Sequence, residues 1–404
     1  MTEPLDLTPA ASLPTEFAIH EVLAAPRTTG TPPAPPSLGP LAAFVDNWSG
    51  NGFNTIFRPD NKFSPTELPV QPPPNNDNIL ELNLTSENLS FSKSLGSVPN
   101  RGMLQRDLFL NGVPYLQAIN DVTTGQSVGI HLEPGLWVIV PATPDPQPGE
   151  SPALGESLVR MASIPHGTTI LAQGTSTVIP GAPTIPPAPI TPSTATPPGG
   201  TGTPIRFASQ TAADQTTPRI PQDLTAFIAA GTITQELLDD PNVLLRRHID
   251  GLRITSTTAI NISTHPALPL FGGGNDDIAF LLGNPVAVTD PAPNPPVQNA
   301  QSIELSATFW IETVERTITV APFSPGQPPV LHTPDPTHPG QPVPTFLVRP
   351  PFQILEPREI TFTSTQIQYS QRVILNFNGL SWPHVSVATL VPAAPVPVPP
   401  TAWT

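Results

Sequence analysis

Apolar positions along this chain recur mostly at every second residue. In residues 78–91, Leu80, Leu82 and Leu84 share one face and Glu81 and Asn83 take the other, the period of a half-buried strand. From Ser127 to Val140, Ile130 and Leu132 oppose His131 and Glu133, and Pro134-Gly135 predicts a bend before the apolar run Leu136 to Val140. Ile360 to Tyr369 alternates again. Val373 to Phe377 then leads into Asn378-Gly379, and Leu380 to Leu390 returns, which is a hairpin signature. Asn111-Gly112 carries the same signature within Leu104 to Ile119. Further strands are expected over 44–57, over 158–177 around Pro165-His166-Gly167, and over 302–320. Only residues 218–250 read as helical. There Pro221 suits a first position, Gly231 a stop and Thr232 with Gln235 a capping box, and Asp240-Pro241 opens a last turn.

Nine or ten short strands joined by hairpins leave many edges. A closed barrel hides them most economically, with a two-sheet sandwich as the alternative. The expected fold class is therefore all-β, an antiparallel barrel of about ten strands with a small helical insert and long Pro-rich loops. Residues 1–40, with five prolines between 32 and 40, read as a polyproline tail. Residues 41–404 read as one barrel domain, with 180–300 as loop and helical insert.

Composition sharpens this picture. The 404 residues hold 61 prolines, about three times the ordinary share of roughly 5%, and 12% are charged. Lys62 and Lys93 are the only lysines, and the net charge is −15. That balance argues against a nucleic-acid backbone or an anionic membrane surface as partner. The absence of cysteine removes disulfides, thiolate metal sites and thiol catalysis. No run of 18 apolar residues predicts a membrane span, and the acidic N-terminus broken by Pro9 and Pro14 does not read as a signal peptide. A cytoplasmic protein with a small-molecule partner is expected.

The candidate chemistry rests on histidines. His131 and Glu133 are two residues apart on one strand face, roughly 7 Å along the strand; they suit either an acid–base pair or a buttress, and a metal would need a third ligand. His166, beside Thr168, Thr169 and Gln173, suits a general acid or base at a barrel mouth. Ser163 near His166 lacks the Gly-x-Ser-x-Gly context of a hydrolase. His384, Ser386, Ala388 and Leu390 share one strand face, opposite Val385, Val387, Thr389 and Val391. The valine face is the more apolar, so it is the default core side, and alternation alone leaves open which face is the lumen. Asp276 and Asp277, after three glycines, read as a turn. Arg58, Arg101 and Arg106 are scarce cations that suit either a bound carboxylate or salt bridges to Glu81, Glu87 or Asp107.

Three stretches, in order, resemble the nitrobindin-like haem-binding barrels, which share the fatty-acid-binding-protein type of calycin barrel. Trp48-Ser49-Gly50-Asn51-Gly52 is similar to the family's opening strand. His131-Leu132-Glu133-Pro134-Gly135-Leu136-Trp137 resembles its His-x-Glu-x-Gly strand. Pro383-His384-Val385-Ser386-Val387 resembles its closing strand. The resemblance covers roughly 41–140 and 370–392. It implies a calycin-like barrel holding haem in the lumen, with His384 as the metal ligand and chemistry at ferric iron with nitrogen oxides or peroxides. Trp48, Trp382 and Phe377 would then form the cofactor wall, and Arg58 and Arg101 would meet the propionates. Two other readings accompany it: a haem-free isomerase, hydratase or cyclase using His131, Glu133 and His166, and an interaction protein with a solid interior.

Overall fold

The computed structural model describes residues 34–44, 46–71, 77–102, 107–143, 155–194, 202–265, 271–283 and 299–404. Most of the expected N-terminal tail, and Arg106, lie outside the described residues. Ten long strands form the body: β1 (Asp46–Pro59), β2 (Asn78–Phe91), β3 (Leu108–Asp121), β4 (Val128–Val140), β5 (Ser157–Ile164), β6 (Thr168–Pro180), β7 (Arg253–Ser263), β8 (Gln301–Val320), β9 (Arg358–Phe377) and β10 (Leu380–Pro392). Each pairs antiparallel with the next, and β1 pairs with β10 from Trp48↔Pro392 to Thr55↔Val385. The ring closes as an antiparallel ten-stranded barrel. Closure leaves none of the ten strands with an unpaired edge, and the sandwich alternative falls away. Among the described residues no helix is long and apolar enough to cross a membrane.

The number of strands matches the sequence reading, but their identities differ in three places. Asn111-Gly112 is not a turn. It lies inside β3, where the Asn111 amide donates to Pro36 O at 2.7 Å and its Oδ1 accepts from the Ser94 hydroxyl. A Cβ on Gly112 would sit 2.3 Å from Trp137 O, so glycine permits close strand approach here. Pro134-Gly135 likewise lies within β4 and does not bend the chain out of the sheet. A side chain at Gly135 would strike the Tyr115 ring at 2.5 Å. The third difference is β7, whose Arg253–Ser263 falls inside the region read as loop and helical insert. The Asn378-Gly379 hairpin between β9 and β10 forms as expected, both residues at positive φ.

The helical insert comprises α1 (Thr225–Ala230), α2 (Gln235–Asp239) and α3 (Asn242–Ile249). Gly231 caps α1 in the left-handed conformation, but the side chain that caps α2 is Thr234 rather than Thr232, accepting from Leu237 N. The loop before α1 is organised by Arg219. Its buried guanidinium donates to the carbonyls of Ser209, Thr211, Ala212, Asp214 and Gln222. One side chain thus satisfies acceptors that the loop cannot pair among themselves.

This insert explains the valine face. Val385 and Val387 are fully buried, yet they share a core cluster with Ile185, Ile190, Leu224, Leu237 and Leu245 of the insert. The ring of Phe57 meets Phe207, and Gln368 Nε2 donates to Leu245 O while Thr389 Oγ1 bonds His248 Nδ1 at 2.9 Å. The apolar face of β10 is therefore the covered outside of the barrel, and the His384 face is the lumen. Beyond the barrel rim, the long ends of β8 and β9 carry a second apolar cluster around Phe346, Phe362 and Trp403.

This arrangement makes Val387 a core position although it faces away from the lumen. Val387→Asp is expected to cost about 3 kcal/mol or more in urea unfolding, through a buried charge. Val128→Asp, on an exposed position of β4, is expected to stay within about 0.5 kcal/mol of wild type.

Candidate ligand-binding site

The lumen is built in three layers. One end is filled with aromatic rings: Phe44, from the short helix Gly39–Phe44, stacks on Phe91 at 4.8 Å and meets Trp137 and Phe309 edge-on. The middle layer is polar and fully packed. The other end is a cavity of about 490 Å³. Ile56, Ile119, Ile164, Val373 and Leu375 give it an aliphatic wall, and Leu281, of the short helix α4 (Ala279–Leu282), is among the residues that enclose it.

At the centre of the middle layer is an ion pair. Arg160 Nη2 lies 2.5 Å from Glu133 Oε1, with side-chain exposures of 1% and 0%. The guanidinium also donates to the Tyr115 hydroxyl at 2.8 Å and to Gln371 Oε1 at 2.7 Å, and it faces the rings of Tyr115, Trp137 and Phe309. Tyr115 donates to Glu133 as well. Burial pushes the Glu133 carboxyl up, but Arg160, His131 and Tyr115 together bring it down to about 2. Beside this pair Tyr369 donates to Glu87 Oε2 at 2.6 Å, and Thr85 and Gln117 donate to the same carboxyl. Among the described residues no Arg or Lys touches Glu87. Burial outweighs its hydrogen bonds and raises it to about 7.

Three histidines face the cavity above this layer. His131 Nε2 contacts Glu133 Oε2 at 3.2 Å, and the His131 ring stacks on His166 at 5.6 Å between centroids. His166 hydrogen-bonds the backbone of Ile130, and burial together with the charge of His131 lowers its pKa. His384 faces them across the lumen. Burial, then the charges of His131 and His166, bring it down to about 3, so it is neutral at physiological pH. Its Nε2 lies 2.8 Å from Asn54 Nδ2, and the same amide nitrogen donates to Ser386 Oγ at 2.7 Å. Register causes the meeting: Asn54 pairs with Ser386 across the β1–β10 seam and with Asn83 across β1–β2.

The structure thus brings His131, Glu133, His166 and His384 around one site. It places the other expected wall elsewhere. Trp382 stacks on Phe377 at 4.6 Å and lies against Phe57 and Phe207, and neither Trp382 nor Phe377 lines the cavity. Trp48 sits toward the far end of β1, paired with Pro392 and Leu89. Arg58 bonds Glu81 at 3.1 Å, and Arg101 lies 3.8 Å from Asp107 on an exposed edge, so both make salt bridges. Asp277 is buried in a short strand paired to β6, accepting from Thr168 and from Ser302 N. No group of three His, Asp or Glu among the described residues is placed to hold a metal ion by itself.

Sequence reasoning missed Asn54, Arg160, Gln117, Tyr369 and Gln371, and it offered Glu87 as a salt-bridge partner for an arginine where its carboxyl instead accepts from Tyr369, Thr85 and Gln117. Arg160 carried a signal: in a chain this poor in cations it alternates in phase with Leu158 and Ala162 on a strand face. The amides and tyrosines carried none, since polar residues alternate on solvated strands too.

Removing one partner of the buried pair leaves a charge without compensation, so Arg160→Met is expected to lose about 3–5 kcal/mol in chemical denaturation. Glu87 acts in the opposite sense to Glu133. Its folded pKa lies above the unfolded 4.5, so its stabilisation is complete below pH 4.5 and is lost as pH rises toward 7. Glu87→Gln is therefore expected to flatten the fall of the melting temperature between pH 5 and 7. Glu133, held low, contributes stability above pH 4.5 that is lost as pH falls toward 2.

No known family description matches this chain, and no curated protein does. A solved structure, that of Rv2717c from M. tuberculosis, aligns with 88% of this chain and 97% of its own at 10% identity, with a TM-score of 0.31. Likeness at that level carries no argument about function.

Proposed function

We propose that the lumen binds one small, largely apolar molecule, and that haem, ligated by His384, is the first candidate. The observation that carries the reading is the open cavity: an aliphatic wall with a single neutral imidazole projecting from the closing strand. Two features fit haem. A neutral histidine is the protonation state an iron ligand needs. Ile56, Ile119, Val373 and Leu375 offer apolar contact for a porphyrin face. When bound, haem would supply the ligand-exchange and redox chemistry of its iron. The chain itself holds the imidazole, excludes water from the packed end, and keeps Glu133 ionised behind His131.

A second reading is favoured by one specific observation. Glu133 is a carboxylate whose Oε2 meets His131 Nε2, and His131 stacks on His166. A carboxylate that accepts the Nε2 proton leaves His131 Nδ1 as a free base, the arrangement of a general base oriented by a carboxylate. In a haem-free lumen this pair would move a proton on an organic guest, as an isomerase, hydratase or cyclase does.

Haemin titration separates the two. A Soret shift that saturates at one equivalent and is lost in His384→Ala is expected. No shift, or a shift unchanged in His384→Ala, removes haem and leaves the acid–base reading.

A further inference from the structure

We infer that Asn54 is a latch on His384: its side-chain amide occupies Nε2, fixes the proton on Nδ1, and must let go before Nε2 can take a ligand. The inference rests on the lumen reading above and adds a positioning residue that the sequence does not reveal.

Asn54 is 6% exposed and sits where three strands meet. Its Oδ1 accepts from Asn83 Nδ2 at 3.3 Å, which turns the NH2 group toward β10. That nitrogen has two hydrogens and two acceptors in reach, His384 Nε2 at 2.8 Å and Ser386 Oγ at 2.7 Å. Both donors are therefore used, and the imidazole accepts at Nε2. A neutral ring that accepts at one nitrogen carries its proton on the other. Nδ1–H has no partner among the described residues, and His384 lines the cavity. Histidines that ligate metals ordinarily have their second nitrogen held by a protein acceptor. His384 is the reverse: its Nε2 is held by a donor and its Nδ1–H is unheld. The ring is preset to donate to a guest from Nδ1, and a metal at Nε2 must displace Asn54.

The alternative arrangement uses the same atoms with both amides turned over. Asn54 Oδ1 would then accept from an Nε2–H of His384, and Asn83 Oδ1 would accept from Asn54. That arrangement makes Asn54 an ordinary acceptor and no latch, so the tautomer of His384 decides the matter.

The test combines long-range 1H–15N spectra of histidine-labelled protein, which report the ring tautomer, with haemin titration. Wild type should show His384 as the Nδ1–H form. Asn54→Leu should lose this fixed tautomer and bind haemin about threefold to tenfold more tightly, since one hydrogen bond no longer has to be broken. Asn54→Asp, which can only accept at Nε2, should shift the ring to Nε2–H and weaken haemin binding. Ser386→Ala, which leaves the Asn54–His384 bond in place, should keep the wild-type tautomer and serves as the folding control. An Nε2–H ring in wild type overturns the latch. So does a folded Asn54→Leu protein with unchanged haemin affinity. If no variant gives a Soret shift, the haem reading fails while the tautomer data still decide the latch.

Discussion

A ring of ten strands encloses more space than one layer of its own side chains fills, since about eight strands already leave room for a small ligand. Everything distinctive in this lumen answers that constraint. The short helix ending at Phe44 is pushed into one end as a plug, and Phe91, Trp137 and Phe309 close around it. Arg160 then reaches across the middle from β5 to Gln371 on β9, with Glu133 of the adjacent strand β4 as its counter-ion. Such a pair is expensive to bury, and it persists because Tyr115, Gln371 and three aromatic faces surround the guanidinium. What remains unfilled is the cavity.

The polar layer also sets the electrostatics of that cavity. Glu133 is held as a carboxylate and Arg160 as its counter-ion, so the layer is charged inside but neutral in sum. Glu87, which no Arg or Lys touches among the described residues, has its ionisation pushed up to about 7 by burial. Around the mouth Glu81 is answered by Arg58. Burial and the neighbouring His131 lower the pKa of His166, and burial with both neighbours brings His384 down to about 3. A guest therefore meets a neutral His384, for which ligation or hydrogen bonding, rather than ion pairing, is the available chemistry.

The fold class was legible in the sequence because strand alternation in β2, β9 and β10 is a local property. The Asn378-Gly379 turn was legible for the same reason. Asn111-Gly112 misled because a turn-favouring dipeptide also serves where a strand must approach its neighbour closely, and the Trp137 carbonyl beside Gly112 is far away in sequence. β7 was hidden because it follows directly on the helical stretch, and its polar residues Thr255, Ser256 and Thr257 resemble loop. His131, Glu133, His166 and His384 were found because histidines are few. Asn54 was not found, since its role is fixed only by the register of β1 against both β2 and β10.

The orientation of β10 shows why the more apolar face of a strand is an unsafe guide to a barrel lumen. In a bare barrel the inner face must be apolar and the outer face polar. Here the insert between β6 and β7 lays a strap and three helices over the outside, so the outer face became a second core. Val385 and Val387 are fully buried on that face, and Thr389 beside them bonds His248 of α3. Once the outside carries a share of the apolar burial, the inner face of β10 is free to hold His384 and Ser386. The insert thus stands in a causal relation to the site without lying in it: a cover on the outer wall lets the closing strand turn its polar residues inward, against Asn54.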